Sequence, residues 1–91
     1  MLGESVREVT LRRGPHGFGF AIVGGYGSER GDFPIVIKSV FPSGAAASDG
    51  RLRRGDQVLA VNGVSLDRAT HEQAVTLLKH AADTISLLIV S

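Results

Sequence analysis

The chain has no cysteine and no tryptophan, and its formal net charge is only +1 over 91 residues. Without cysteine, neither disulfides nor thiolate chemistry operate, so redox conditions do not constrain the compartment, although a cytosolic location fits this composition. The small net charge gives no indication of a nucleic-acid partner. No apolar run approaches the length that crosses a bilayer, and residues 1–5 lack the basic start and apolar stretch of a signal peptide.

Glycine is abundant instead, and two of the 12 glycines alternate with phenylalanine in Gly17-Phe18-Gly19-Phe20. Glycine at every second position lets backbones approach closely and tolerates positive φ. The alternation places Phe18, Phe20 and Ile22 on one side of an extended chain. We predict a loop whose successive amides form an anion-binding nest at the end of a strand, beside apolar side chains. Such a site fits the free carboxylate and last side chain of another protein.

Two rival motifs fail at these glycines. A dinucleotide fingerprint needs a third glycine where Ile22 stands, and a phosphate loop needs a Gly-Lys-Ser/Thr triplet that does not follow. A tight turn that simply enters a core strand remains an alternative interpretation of the two glycines.

Length and local pattern together predict one small domain over residues 1–91, with its core between about residues 6 and 90. The abrupt start suggests a piece of a longer protein. Gly24–Asp32 is rich in glycine and polar residues, which predicts a mobile hairpin loop. Asn62-Gly63 predicts a tight hairpin. The predicted elements are strands at 6–13, 20–24, 35–40, 57–61 and 85–90, a helical turn at 43–48 and a helix at 70–82.

Side-chain periodicity assigns faces to two of these elements. On the strand after Pro34, strict alternation puts Ile35, Ile37 and Ser39 on one face and Val36, Lys38 and Val40 on the other. On the longer helix, Thr70 and Gln73 have the spacing of a capping box. At 100° per residue this helix carries two stripes, a core stripe of Ala74, Leu77 and Ala81, and a predicted groove wall of His71, Val75, Leu78 and Ala82.

Three segments, in this order, resemble PDZ domains. Gly17-Phe18-Gly19-Phe20 is similar to that family's carboxylate-binding loop, Gly-Leu-Gly-Phe, and residues 50–63 and 70–75 support the likeness. The resemblance covers about residues 6–90. It implies a mainly β fold, an antiparallel β-sandwich or partly open barrel of five to six strands capped by a short and a longer helix.

The resemblance also implies the ligand, the C-terminal tail of another protein added as a strand between the second strand and the longer helix. The implied carboxylate-binding residues are Gly17, Phe18, Gly19, Phe20 and, through water, Arg13. The implied pocket for the last side chain is formed by Phe18, Phe20, Ile22, Val75 and Leu78. Phe18 replaces the family's leucine, so a narrower or reshaped pocket is expected.

Selectivity for residues further from the ligand's end is implied at four positions. His71 is expected to recognise Ser or Thr two residues before the end, the type I class. Ala21, Val23 and Lys38 are the implied upstream contacts, with Lys38 favouring an acidic residue three before the end. Ala21 is smaller than the polar residue that often stands there in the family, which removes one ligand contact.

An enzyme, a metal site and a cofactor are not expected. His16, His71 and His80 lack the spacing of a local catalytic motif, and His71 and His80 lie on opposite sides of their helix, so they cannot share a metal.

The implied partners are tails of receptors, channels and adhesion proteins. The implied location is cytoplasmic, at the inner face of the plasma membrane or at cell junctions, within a larger scaffold. Alternatives left open are internal segments, another PDZ domain, and phosphoinositide headgroups bound through Arg12, Arg13 and Lys38.

Overall fold

The computed structural model describes residues 5–91, which form six β-strands and two α-helices. In chain order these are β1 Val6–Arg12, β2 Phe20–Ser28, β3 Gly31–Val40, α1 Ala45–Asp49, β4 Gln57–Val61, β5 Val64–Ser65, α2 His71–Lys79 and β6 Thr84–Val90. The strands form one sheet in the order β1-β6-β4-β3-β2, with β5 paired to β4, and every pairing is antiparallel. β1 and β2 are therefore free edges, and the predicted mainly β, partly open architecture with two helices is confirmed.

Alternation of apolar and polar residues builds the core. In β1, Val9 and Leu11 are buried between exposed neighbours, and in β6 Ile85, Leu87 and Ile89 are fully buried. Side chains from both helices and from β3 and β4 join the same cluster, which includes Ile35, Ile37, Ala46, Val58, Val61 and Ala74. Burial of each Val, Leu or Ile side chain in this cluster stabilises the fold by about 1.5–3 kcal/mol.

The Asn62-Gly63 hairpin is confirmed. Both residues have positive φ, 49° and 78°, and Val61 pairs with Val64 directly across the turn. This is the backbone that a two-residue turn of primed type requires. The Asn62 side chain also accepts a hydrogen bond from Ser86 N at 2.8 Å, which ties the turn to β6.

Gly24–Asp32 forms the predicted hairpin, but the prediction that it is a loop and not part of the strands was wrong. β2 continues to Ser28 and β3 begins at Gly31, with Ser28 paired to Gly31. The strand passes through Gly24 and Gly25 at φ of 96° and 137°, and the register shifts there instead of ending. Glycine tolerates this bent path without a steric penalty, so a composition typical of loops here builds a twisted, bulged hairpin.

Strict alternation also failed at the end of β3. Ala21 pairs with Ser39, but Ile22 pairs with Ile37, so Lys38 is the extra residue of a β-bulge. The bulge shifts the alternation by one residue. Val40, predicted to share a face with Val36 and Lys38, consequently packs against the core.

The capping box of α2 is confirmed, because Thr70 Oγ1 accepts from Gln73 N at 3.0 Å and Gln73 Oε1 accepts from Thr70 N at 2.8 Å. The predicted end was wrong, since α2 ends at Lys79 and Ala82 lies outside it. The chain must turn there to enter β6 at Thr84.

The shorter helix, α1, begins two residues later than predicted, and its C-cap Gly50 is left-handed with φ of 81°. Within residues 5–91, neither helix is long and apolar enough to span a membrane.

Candidate functional site

A groove of about 370 Å³ runs between the free edge of β2 and α2. It brings together the glycine-rich loop, the start of β2 and one face of α2, which the sequence separates by some 50 residues. Its lining residues are Arg13, His16, Gly17, Phe18, Gly19, Phe20, Ala21, Ile22, Phe41, His71, Val75, Leu78 and Lys79. All five residues predicted for an apolar pocket, and the whole predicted loop, therefore meet in one groove.

The loop before β2 is anchored by its carbonyl groups. Phe18 O accepts from Ala46 N at 3.0 Å, and Gly19 O accepts from Phe41 N at 2.9 Å. Gly19 has φ of 85°, and a Cβ there would lie 2.9 Å from Ala45 N and from Gly44 Cα. Only glycine therefore fits at this contact between the loop and α1.

The amides of the same loop are unused. Within residues 5–91, neither Phe18 N nor Gly19 N donates a hydrogen bond to another group. Because Gly19 is hydrogen-bonded to Phe41, the next pair, Phe20 and Val40, is non-hydrogen-bonded, so Phe20 N–H and C=O face the free edge. Three successive amides thus stand free at one end of the groove.

His71 lies at the other end, on the first turn of α2. Its Nδ1 is 3.0 Å from Gly24 O. A carbonyl can only accept, so in the neutral ring Nδ1 carries the hydrogen and Nε2 is left as an acceptor. The exposed ring therefore presents a lone pair toward solvent.

The same end is closed by contacts between β2 and the segment before α2. A Cβ at Gly25 would lie 2.5 Å from His71 N, so α2 rests directly on the strand. Tyr26 N donates to Ala69 O at 2.9 Å. These contacts end the free edge of β2 after Gly24.

Arg13 has a structural role that the sequence did not reveal. Its guanidinium donates to Ala81 O at 2.7 Å and to Leu78 O at 3.5 Å, which satisfies carbonyls at the C-terminal end of α2. It also lies 4.5 Å from the centre of the Phe18 ring, within range of a cation–π interaction. Arg13 thus joins the loop to α2 and places a positive charge beside the groove.

The remaining predicted site residues are dispersed. Ala21 lines the groove, Val23 lines a neighbouring cavity, and Lys38 lines neither. Ala82 lies beyond the end of α2 and does not contribute to the groove wall.

Three groove residues were missed, namely His16, Phe41 and Lys79. Phe41 is 48% exposed although it is aromatic, but its place depends on the carbonyl of Gly19, which no local pattern indicates.

The pair of residues with shifted pKa values, Asp49 and Arg51, does not line the groove. A hydrogen bond from Arg51 lowers the pKa of the Asp49 carboxyl, and the same contact raises the pKa of Arg51. Among residues 5–91, no group of three His, Asp or Glu side chains is placed to hold a metal ion.

The PDZ domain family model matches residues 8–90. The chain is 59% identical over 85 residues to the Multiple PDZ domain protein of Rattus norvegicus, a match covering 93% of this chain and 4% of that protein. It is 45% identical over 86 residues to Disks large homolog 2 of Rattus norvegicus, covering 92% of this chain and 10% of that protein. The chain therefore spans a small fraction of these relatives.

Among solved structures, the second PDZ domain of Dlg1 from the choanoflagellate Monosiga brevicollis is similar, with 42% sequence identity and a TM-score of 0.86. The match covers 93% of this chain and 97% of that one. The chain belongs to the PDZ domain family, whose members are protein-interaction modules.

Proposed function

We propose that this domain binds the C-terminal tails of other proteins as an added β-strand between β2 and α2. One observation carries the proposal: Phe18 and Gly19 leave their amide hydrogens without an acceptor in residues 5–91, at the end of an open strand edge. Successive free amides bind anions, and a chain terminus supplies an anion attached to a strand. The unused donors are satisfied when the terminal carboxylate binds.

Strand addition extends the contact along β2. Phe20 C=O faces the free edge, and by alternation so do the backbone groups of Ile22. The last ligand residue pairs with Phe20, the second before it with Ile22, and the fourth before it with Gly24. The β2–α2 groove thus holds about five ligand residues, and main-chain bonds supply affinity without sequence preference.

The last side chain of the ligand fits an apolar pocket. Phe18 and Phe20 from the loop side and Val75 and Leu78 from α2 line the carboxylate end of the groove. Phe18 is only 7% exposed and belongs to the core, so it forms a fixed floor. We expect Val, Leu or Ile at the end of the ligand, bound weakly and reversibly with a dissociation constant on the order of micromolar.

His71 selects the residue two before the end. Because Gly24 O occupies its Nδ1, Nε2 is the acceptor available to a ligand. A Ser or Thr hydroxyl donates to it, whereas an apolar side chain leaves it unpaired. This supports the type I specificity, Ser/Thr-x-hydrophobic-COOH.

The proposed ligand contacts of the charged residues around the groove have weaker support than those of His71 and the apolar pocket. Lys38, exposed on the β3 bulge, is a candidate partner for an acidic residue three before the end. A phosphoinositide site on Arg12, Arg13 and Lys38 is less favoured, because Arg13 is engaged by carbonyls of α2.

The cellular setting is part of the same proposal. Similarity to the Multiple PDZ domain protein and to Disks large homologs supports a domain within a larger scaffold. Tails of receptors, channels and adhesion proteins, met at the cytoplasmic face of the plasma membrane or at cell junctions, are the proposed partners. Binding alone, without catalysis, is the proposed activity.

The test uses two peptides ending Thr-x-Val, identical except that one has an amidated terminus. Calorimetric titration is expected to give micromolar binding for the free carboxylate and a loss of at least about 100-fold for the amide. Undiminished affinity of the amidated peptide would refute the assignment of the amide nest.

A further inference from the structure

The pocket for the ligand's last side chain has walls from two distant parts of the chain. Phe18 comes from the loop before β2, and Leu78 comes from the last turn of α2. Phe18 belongs to the core and is only 7% exposed, so its place is fixed. The width of the pocket therefore depends on where the C-terminal end of α2 lies relative to the loop.

α2 is anchored to β2 near its N-terminal end. Tyr26 N donates to Ala69 O at 2.9 Å, and a Cβ at Gly25 would lie 2.5 Å from His71 N. Both contacts are about two helical turns away from Leu78. A helix fixed by backbone contacts at one end can still pivot at the other, so the position of its C-terminal end needs a second contact.

Arg13 supplies that contact. Its Nη2 donates to Ala81 O at 2.7 Å and lies 3.5 Å from Leu78 O. Its Cζ lies 4.5 Å from the centre of the Phe18 ring, within range of a cation–π interaction. Within residues 5–91, no other side chain hydrogen-bonds to residues 75–82 from outside that segment. Arg13 therefore bridges the two walls of the pocket.

We propose that Arg13 is a positioning residue that sets the width of this pocket, and with it the preference for the ligand's last side chain. The inference rests on the proposed function, because it concerns the same bound tail. Without the bonds from Nη2, the C-terminal end of α2 is held by the packing of Leu77, Leu78 and Ala81 against the core. Apolar packing is non-directional, so α2 then takes more than one position and the pocket more than one width.

A pocket of fixed width discriminates by size, because an oversized side chain binds only if it displaces a wall. The experiment measures Kd by calorimetry for two peptides with Thr two before the end, one ending in Val and the other in Phe. We expect the unaltered domain to bind the Val peptide about tenfold more tightly. In Arg13→Met, which keeps an unbranched apolar stem and removes the donors, the preference should fall to about twofold.

Arg13→Lys separates position from charge. Counted along the side chain, lysine Nζ stands where arginine has Cζ, so it keeps a positive charge near Phe18 but ends one atom short of the α2 carbonyls. The relaxed preference, about twofold to threefold, should therefore persist in Arg13→Lys. Arg12→Met removes the same charge from an exposed residue of β1, paired with Thr84, and should keep the full preference.

The ratio of the two affinities is the informative readout, because a loss of stability alone weakens both peptides equally. Urea denaturation identifies a variant that does not fold, and if Arg13→Met is one, Arg13→Lys supplies the comparison. An unchanged ratio in the folded Arg13 variants overturns the inference while the proposed function stands. Full recovery of the preference in Arg13→Lys also overturns it, since charge would then be sufficient. So does an unaltered domain that binds both peptides equally well. Failure of the unaltered domain to bind either peptide refutes the proposed function itself.

Discussion

The two edge strands of the sheet, β1 and β2, differ in whether their unpaired backbone groups are covered. Arg13 N donates to Asp83 O, which makes Arg13 and Asp83 a hydrogen-bonded pair next to the β1–β6 ladder. Backbone groups in an antiparallel ladder point alternately toward and away from the partner strand, so the carbonyls of Glu8 and Thr10 point away from β6, to the free edge of β1. Arg51 covers those carbonyls, with Nη1 3.5 Å from Glu8 O and Nη2 3.4 Å from Thr10 O. On β2, the free edge from Phe20 to Gly24 instead faces an apolar groove.

This difference separates a covered edge on β1 from an open edge on β2. An unpaired strand edge is a template for pairing with any other chain. The arginine on β1 is held by Asp49, whose two oxygens accept from Arg51 Nε and Nη2, both at 2.9 Å. The β2 edge has α2 beside it, so a chain that pairs there must also fit the groove. Under the proposed function, this arrangement directs strand addition to the edge where side chains can select the partner.

We expect the largest loss of stability and of peptide binding from a substitution at Gly19, in the loop before β2. In Gly19→Ala, the new Cβ meets the backbone of Gly44 and Ala45 at 2.9 Å while φ stays positive. We expect a loss of about 2–4 kcal/mol in the free energy of unfolding and a loss of peptide binding of at least about tenfold. Urea denaturation and calorimetry measure both.

Gly17→Ala is the matched control for that change. Gly17 also has positive φ, 93°, but a Cβ there has no atom within 4 Å. Only the backbone strain remains, about 1–2 kcal/mol. Equal destabilisation by the two substitutions would show that contact with α1 does not hold the loop.

His71→Ala tests selection within the groove and is expected to have the next largest effect. Peptides with Ser or Thr two before the end should bind about tenfold more weakly, since one hydrogen bond is lost. Peptides with Val at that position should change little. His80→Ala, an exposed residue at the end of α2, is the control. Equal losses for both peptide classes would contradict the assigned role of His71.

Pattern and motif were enough to predict much of this architecture. Alternating apolar residues predicted β1, and a short, mostly apolar run predicted β6. Asn62-Gly63 predicted a hairpin, and Thr70 with Gln73 predicted the start of α2, because each signal acts within a few residues. Most of the groove residues, but not His16, Phe41 and Lys79, were predicted from two periodicities, of strand and helix, combined with the resemblance of the loop to a family motif.

The failures share a non-local cause. Gly24 and Gly25 are compatible with a loop or a bent strand, and only the partner β3 decides between them. The bulge at Lys38 shifts a period-two pattern without changing composition. Arg13 satisfies carbonyls at the end of α2 from 65 and 68 residues away, and Arg51 reaches β1 across more than 40 residues. Long side chains that serve distant backbone groups leave no local signal.

Arg51→Ala would uncover the carbonyls of Glu8 and Thr10, so the backbone of β1 would be as open at its edge as that of β2. We expect more self-association than in the unaltered domain, with a dissociation constant on the order of millimolar, because an unpaired strand edge is then accessible to a second copy. Analytical ultracentrifugation over a range of concentrations measures it. Arg54→Ala removes an exposed arginine of the same turn region and should leave the mass unchanged. If Arg51→Ala sediments like the unaltered domain, Arg51 does not protect this edge.

The smallest expected effect concerns pH at the β1 edge. The hydrogen bond from Arg51 lowers the pKa of Asp49 in the folded state below its unfolded value, so the stabilisation is complete above the unfolded pKa, near 4. It is lost as pH falls through the folded pKa of Asp49, while Arg51 stays charged because a guanidinium is protonated throughout the acidic range. The pair is exposed, so its contribution is small. Asp49→Asn should therefore lower the urea midpoint slightly at pH 7 and not at pH 2. A difference that persists unchanged at pH 2 would mean that the charge of Asp49 is not what holds Arg51 over β1.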